Sequence, residues 1–251
     1  MNSPTTIIPI HSGTPPGVFG AGLTHPGQVR AENEDTILTD PEGAIWAIAD
    51  GMGGYGHGDL ASETVINHLV TLPDDGDLKA QVTTALGQAN SDIRKTARQK
   101  EMRALGSTVV VVQIHNAMAQ VSWVGDSRAY LMRAGQLRLL TRDHTVVQDL
   151  VDDGLLRQED APHHPERHVV TRAIGGDERI EVDHRAVPLI AGDWLLLCSD
   201  GLTACVHEQT IAALLNDARN PSTACKSLID EALRRGAPDN VSVITVFVGA
   251  G

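Results

Sequence analysis

The sequence predicts an α+β protein built from antiparallel sheets flanked by helices. Three observations carry this. Strand-like segments come in runs joined by hairpin-length turns, helical segments come in pairs, and the order nowhere settles into alternating βαβ units. At 251 residues the chain can bury a sizeable core, as one large domain or two small ones. No internal repeat, low-complexity tract or composition break marks a linker.

Taken in order, residues 1–17, "MNSPTTIIPIHSGTPPG", form a loose lead-in without the basic region and apolar stretch of a signal peptide. The segments "DTILTD" and "AIWAIAD" are strands separated by the turn "PEG". Helices follow over 57–71 and 77–101. In the second, Leu78, Val82, Leu86, Ala89, Ile93 and Ala97 recur at three- and four-residue steps, which is one face of an amphipathic helix. A strand-rich block comes next: "STVVVVQIH", "AQVSWVGD", "RAYLMRA" and "QLRLLTRD", with "HNA" and "AGQ" short enough to be hairpin turns. Residues 145–172 are more polar, with a short helix and a loop carrying His163, His164 and His168. The chain closes with the strand "DWLLLCSD", helices over about 207–216 and 221–235, and the strand "VSVITVFV".

The formal net charge of -12 disfavours nucleic acid or an anionic membrane as the main partner, since each calls for a basic surface. Apolar content is ordinary, and no stretch reaches membrane-spanning length. Cys198, Cys205 and Cys225 are too few and too scattered for a disulfide framework or a zinc site, so they read as buried packing residues and a reducing cytoplasm is the simplest home. A monomer is the default expectation.

The acids carry the strongest pattern. "AIWAIAD-G", "VSWVG-D-S" and "WLLLCSD-G" each end a strand on an acid followed by a small residue. Asp239 stands just before the last strand, and Glu34 and Asp35 open an early one. A single Asp-Gly is ordinary turn chemistry. Several at strand ends can converge on one sheet edge, where they would repel strongly, and hard divalent cations relieve that repulsion because oxygen-rich sites suit magnesium or manganese.

The stretch "AIADGMGGYG" also satisfies the dinucleotide pattern through Gly51, Gly53 and Gly56, with Asp74 and Asp75 downstream. Against that reading, Asp50 would set an anion beside the pyrophosphate that such a turn binds through backbone amides. The downstream order is not βαβ either, and no Gly-Lys-Ser/Thr follows to make a P-loop.

At this point the chain resembles the metal-dependent type 2C serine/threonine protein phosphatases in their compact bacterial form. The resemblance runs from about Gly20 to Val248 and rests on "VRAENED", "ADGMGG", "GSTVVVV", "WVGDSRAYL", "LTRDHTVVQDLVDDG", "HPERHVVTRAIGG", "LLLCSDGL" and "APDNVSVI" in order. It implies one catalytic domain over 18–251, with a flap-like segment at 145–172. The implied fold is a four-layer αββα sandwich, two antiparallel sheets with a helix pair outside each.

The resemblance also implies two Mn2+ or Mg2+ ions per site and a third, weaker one. Asp50 would bridge two metals, with the Gly51 carbonyl on one of them; Asp200 and Asp239 would complete the other. Asp126 would help hold the third with Asp200. Glu34 and Asp35 would act through metal-bound waters or as outer acceptors, and Arg30 would bind the substrate phosphate. The implied reaction is hydrolysis of phosphoserine and phosphothreonine in proteins by a metal-bridging hydroxide, opposing a bacterial serine/threonine kinase. This chemistry suits the residues: a metal pair acidifies water and steadies phosphoryl oxygens, and guanidinium offers parallel donors to two phosphate oxygens.

In one respect the sequence departs from many eukaryotic relatives, which carry a leaving-group histidine two positions after the central Asp. Met52 stands there and cannot donate a proton. A metal-bound water near Asp126 is the preferred donor, with His57 as the alternative. The flap histidines read as solvated loop residues, since nitrogen ligands fit an oxygen-rich site poorly. Arg128 and Arg172 are expected to brace the acidic edge. The rival from another class is a catalytically silent relative that binds phosphoproteins or acts as a scaffold; such proteins usually lose metal-binding acids, and this chain retains Asp50, Asp126, Asp200 and Asp239.

Overall fold

The long apolar runs lie at the centre of two antiparallel sheets stacked face to face. The computed structural model describes residues 17–40, 44–53, 57–72, 76–102 and 104–250. The first sheet is ordered β1 (Val18–His25), β11 (Val241–Val248), β10 (Trp194–Cys198), β7 (Arg128–Arg133) and β8 (Gln136–Leu139). The second is ordered β2 (Asp35–Thr39), β3 (Ile45–Gly53), β5 (Val109–His115), β6 (Met118–Val124) and β9 (Asp183–Pro188), and the short β4 (Leu105–Ser107) pairs with the end of β3.

Alternation along each strand sorts the side chains into three apolar layers. Trp46, Ile48, Val110 and Val112 face Leu195, Leu197, Ile244 and Val246 between the sheets. On the far side of the second sheet, Ala47, Ala49, Val109 and Val111 meet α1 (Gly58–Val70) and α2 (Leu78–Gln99) through Val65, Leu69, Leu86 and Ile93. On the far side of the first, Leu196 and Val243 meet α5 (Glu208–Asp217) and α6 (Pro221–Arg234) through Ile211, Leu215 and Leu228. Strands covered on both faces are mostly apolar, which is why "VVVV" shows no polar alternation and why the polar Ser242 and Thr245 of β11 are buried and hydrogen-bonded. The expected αββα sandwich is the observed one.

Helix ends follow local chemistry. The Asp77 side chain accepts the Ala80 N–H at the start of α2. At α6, Asn220 and Thr223 exchange the two bonds of a capping box, with Pro221 in the first turn. The short α3 (Val146–Asp152), capped by Thr145, begins the flap-like segment.

Three expectations need correction. Neither β1 nor β9 was anticipated. The sequence of β1, "VFGAGLTH", is diluted by Gly20 and Gly22, which lie against Trp46 and Thr39 and leave room for them; β9, "DHRAVP", is an edge strand with most of its side chains partly or fully exposed. Asp50 does not end its strand either. It sits inside β3 where partners change, with β2 and β5 flanking the residues before it and β4 pairing with Gly51–Gly53. The lead-in up to residue 16, the "PEG" turn, Gly56, Asp74 and Asp75 lie outside the described residues.

Removing packing from the middle layer tests this arrangement. Leu197→Ala is expected to lower the unfolding free energy by about 2–5 kcal/mol, whereas Asn220→Ala at the α6 cap costs about 1 kcal/mol; urea denaturation midpoints check both.

Candidate active site

The acids meet at one end of the sandwich, where the two sheets deliver strand ends side by side. Asp35 and Asp50 face each other across β2 and β3. Asp126 follows β6 after the turn at Gly125, Asp200 opens α4 (Asp200–Thr203) just past β10, and Asp239 precedes β11. Asp35 and Asp50 thus lie within strands and the other three beside strand ends, so the acids come from both sheets.

Their crowding shows in their titration. Asp50 is pushed well above the ordinary carboxylate range, first by burial and then by the charges of Asp35, Asp200, Asp126 and Asp239. Burial and the Asp200 and Asp143 charges lift Asp126 to about 8. Asp35 rises to about 7, chiefly by burial, although hydroxyl hydrogen bonds hold it back. Asp200 is raised by burial and by Asp239, and hydrogen bonding from Asp50 partly offsets this.

The surroundings supply substitutes for charge compensation. Asp35 Oδ2 accepts from Ser242 Oγ at 2.6 Å and from Ser199 Oγ at 2.9 Å, while its Oδ1 is buried with no partner. Arg30 Nη2 donates to Asp239 Oδ2 at 2.8 Å near the surface. That bond and the Asp239 charge hold the Arg30 guanidinium firmly protonated.

Two tight backbone contacts set the site's shape. Glu34 O accepts the Gly51 N–H and the Ser62 hydroxyl, and Glu34 Oε1 accepts the Gly58 N–H at 2.5 Å. The Glu34 carboxylate so serves as the N-terminal anion of α1, where His57 supplies no side-chain cap. A Cβ at Gly51 would overlap the Gly58 carbonyl, so only glycine lets β3 and the start of α1 approach this closely. On the opposite side Asn240 receives the Glu34 N–H on its Oδ1 and donates Nδ2 to Pro26 O and Glu32 O, which pins the Arg30 loop beside Asp239.

A cleft of about 320 Å³ adjoins the acids. Asp126 and Asp200 line one side of it, and Gln148, Arg167 and His168 of the flap-like segment line another. His168 lies near enough to lower the Asp200 pKa electrostatically. Arg128 braces the acidic edge as expected: its Nε and Nη2 reach Asp143 at 2.6–3.1 Å, and it lowers the pKa of both Asp126 and Asp200. Arg172 does not. Its ion pairs are with Asp183 and Glu181, neither of which belongs to the cluster.

The donor set is all oxygen, and an orphaned buried carboxylate oxygen waits beside it, which fits a hard divalent cation. Among the described residues no three acidic, histidine or cysteine side chains converge into a ready cation cage; Arg30 and the two serines hold Asp239 and Asp35 in other arrangements. Sequence reasoning missed Ser199, Ser242 and Asn240. Their signal was there, small polar residues directly flanking the acids in "CSD" and "DNVS".

A four-layer sandwich whose joint sheet edge gathers such acids is the architecture of the metal-dependent protein phosphatases. The chain belongs to the protein phosphatase 2C family, whose model matches residues 27–150 and 191–241. It is 39% identical over 226 residues to the serine/threonine protein phosphatase PstP of Mycobacterium tuberculosis, covering 88% of this chain and 43% of that protein. The chain thus spans less than half of PstP. With the serine/threonine phosphatase stp of Listeria monocytogenes it shares 33% identity over 234 residues, covering 89% of this chain and 93% of that one. The solved catalytic domain of PstP in complex with two manganese ions superposes with a TM-score of 0.85 at 36% identity, over 93% of this chain and 99% of that chain.

The raised pKa values fix a pH dependence. A carboxyl whose folded pKa exceeds its unfolded value binds its proton more tightly when folded, so its stabilisation is complete below the unfolded pKa and is lost as pH rises through the folded one. For Asp35 and Asp126 that loss runs through about 7 and about 8. The chelator-treated protein is therefore expected to melt at lower temperature as pH rises from about 6 to about 8.5, with added Mn2+ or Mg2+ reversing the trend; differential scanning calorimetry checks it.

Proposed function

We propose that this chain hydrolyses phosphoserine and phosphothreonine on proteins, as one catalytic domain over residues 18–251. The observation that carries the reading is the gathering of Asp35, Asp50, Asp126, Asp200 and Asp239 into one electrostatic cluster with Arg30 at its rim. Asp50 and the Gly51 carbonyl, with Asp200 and Asp239, are the groups that would hold a pair of divalent cations, Mn2+ or Mg2+. Asp126 with Asp200 would hold a third. When bound, the cations neutralise the phosphate dianion and acidify water for in-line attack.

The chain's own groups do the rest. Arg30, paired with Asp239 at the rim of the cluster, offers a planar fork of donors that would suit two oxygens of a substrate phosphate. Glu34 and Asp35 work from outside the cation pair. Glu34 carries the Gly51 and Gly58 amides, and Asp35 keeps one buried carboxylate oxygen without a hydrogen-bond partner. The flap-like wall of the cleft confines the phosphopeptide next to Asp126 and Asp200. Met52 leaves the departing alkoxide without a histidine at that position, and a water held beside Asp126 protonates it in preference to His57, whose ring is exposed at the start of α1.

The antagonist is a bacterial serine/threonine kinase, the working form a monomer and the compartment the cytoplasm, where three free cysteines stay reduced. Among the described residues no helix is long and apolar enough to cross a membrane.

Manganese-dependent release of phosphate from a phosphothreonine peptide tests the reading. Chelator, Asp50→Asn and Asp239→Asn are each expected to lower turnover by at least about a hundredfold, whereas a silent scaffold would bind the peptide and release nothing. Arg30→Ala is expected to raise KM more than it lowers kcat. His57→Ala, assayed on aryl phosphates of graded leaving-group acidity, is expected to leave the whole series unchanged; a loss confined to poor leaving groups would transfer the proton-donor role to His57.

A further inference from the structure

One fully buried titratable group near the site has no part in the reaction described so far. His144, in the "TRDHT" segment, has no exposed surface. Its Nδ1 accepts the Gly125 N–H at 3.0 Å, and the His144 backbone N–H returns a bond to Gly125 O at 3.0 Å. An amide proton at Nδ1 requires that nitrogen to be bare, so the ring proton sits on Nε2 and points to Asp183 Oδ2 at 3.3 Å. Arg172 pairs with that same Asp183. The imidazole stacks on Trp123 at 6.4 Å between centroids, and burial lowers its pKa, which favours the neutral ring that the bond to Gly125 demands.

The bond falls on a particular peptide. Gly125 has a φ of 106°, and a Cβ there would collide with Thr108, so the turn is one only glycine can make. Asp126 is the next residue, and its direction follows from that turn. The His144 carbonyl meanwhile accepts the Thr171 N–H at 2.8 Å, where the flap-like segment rejoins the body.

We propose that His144 is a positioning residue for Asp126: its neutral ring, oriented by Asp183, clamps the Gly125 peptide and so aims the Asp126 carboxylate at Asp200, with the base of the flap tied to the same residue. This rests on the reading of Asp126 given above. An imidazole serves where an aliphatic side chain would fill the space equally well, because the Gly125 amide is buried and needs an acceptor. Asparagine can offer an acceptor oxygen in place of Nδ1, whereas leucine matches the bulk and offers none.

The test compares His144→Leu and His144→Asn, alone and combined with Asp126→Asn, by steady-state hydrolysis of an aryl phosphate and by NMR hydrogen exchange of the Gly125 amide in chelator. His144→Leu is expected to speed Gly125 exchange and to lower kcat by about tenfold, with KM within about twofold. His144→Asn is expected to restore both to within about threefold of the parent. In the Asp126→Asn background, His144→Leu should cost nothing further. Should His144→Leu fail to fold, Asp183→Ala, which frees the Nε2–H, is read the same way and gives a smaller loss of kcat in the same direction. Equal losses for Leu and Asn, unchanged Gly125 exchange, or full additivity with Asp126→Asn would overturn the proposal while leaving the phosphatase reading intact. An Asp126→Asn enzyme with parental turnover would overturn the role of Asp126 and this proposal together.

Discussion

Mutual repulsion among buried carboxylates is the constraint on which the rest of this structure depends. Asp50 feels the charge of four other aspartates, and burial removes the water that would otherwise screen them. Such an arrangement persists only because the surrounding sandwich overdetermines it. Asp35 and Asp50 lie within paired strands, and Asp126, Asp200 and Asp239 stand within a few residues of strand ends, so the packed sheets set where the acids meet. The cluster's stored unfavourable energy is also its capacity, because any divalent cation that enters is bound against the repulsion it relieves.

The polar groups around the cluster divide the work. Ser199, just past β10, and Ser242, in β11, both donate to Asp35 Oδ2, so a single carboxylate oxygen ties β2 to the opposite sheet. Asn240 joins the loop that carries Arg30 to the start of β11. Asp143 and His144, adjacent in sequence, take Arg128 and Gly125 on either side of Asp126. Neutral hydroxyls and amides do most of the holding near the acids, which avoids adding anions to an anionic pocket. Full countercharges, Arg30 and Arg128, stand at its margin.

The sandwich was legible in the sequence where burial is symmetrical. "WLLLC" and "VSVITVFV" announce strands covered on both faces, and the spacing from Leu78 to Ala97 announces a one-faced helix. What escaped detection was lopsided or dilute. In β1 the glycines that admit Trp46 also erase the apolar signal, and β9 is recognisable only from its pairing with β6. The acids of the site were legible because Asp before a small residue recurred at strand ends. Their supporting hydroxyls were not, because Ser and Asn beside an acid look the same whether they close a turn or hold a carboxylate. Asp50 shows the reverse case: its Asp-Gly step looks like a turn, yet the strand continues through it by changing partners from β2 and β5 to β4.

That change of partners explains why the site sits at this end of the molecule. Up to Asp50, β3 is an interior strand with neighbours on both sides. From Gly51 onward, β4 pairs on one side and the Glu34 carbonyl accepts the Gly51 amide on the other, and the Gly51 carbonyl lies against the start of α1. The sheet thus frays into backbone groups where the other sheet presents Asp200 and Asp239, and the connector between sheets, Gly125–Asp126, crosses the same edge. Two of the five acids belong to one sheet, two follow or precede strands of the other, and one lies on the link between them. The site is therefore a product of the inter-sheet packing, so the apolar middle layer and the ionic edge stand or fall together.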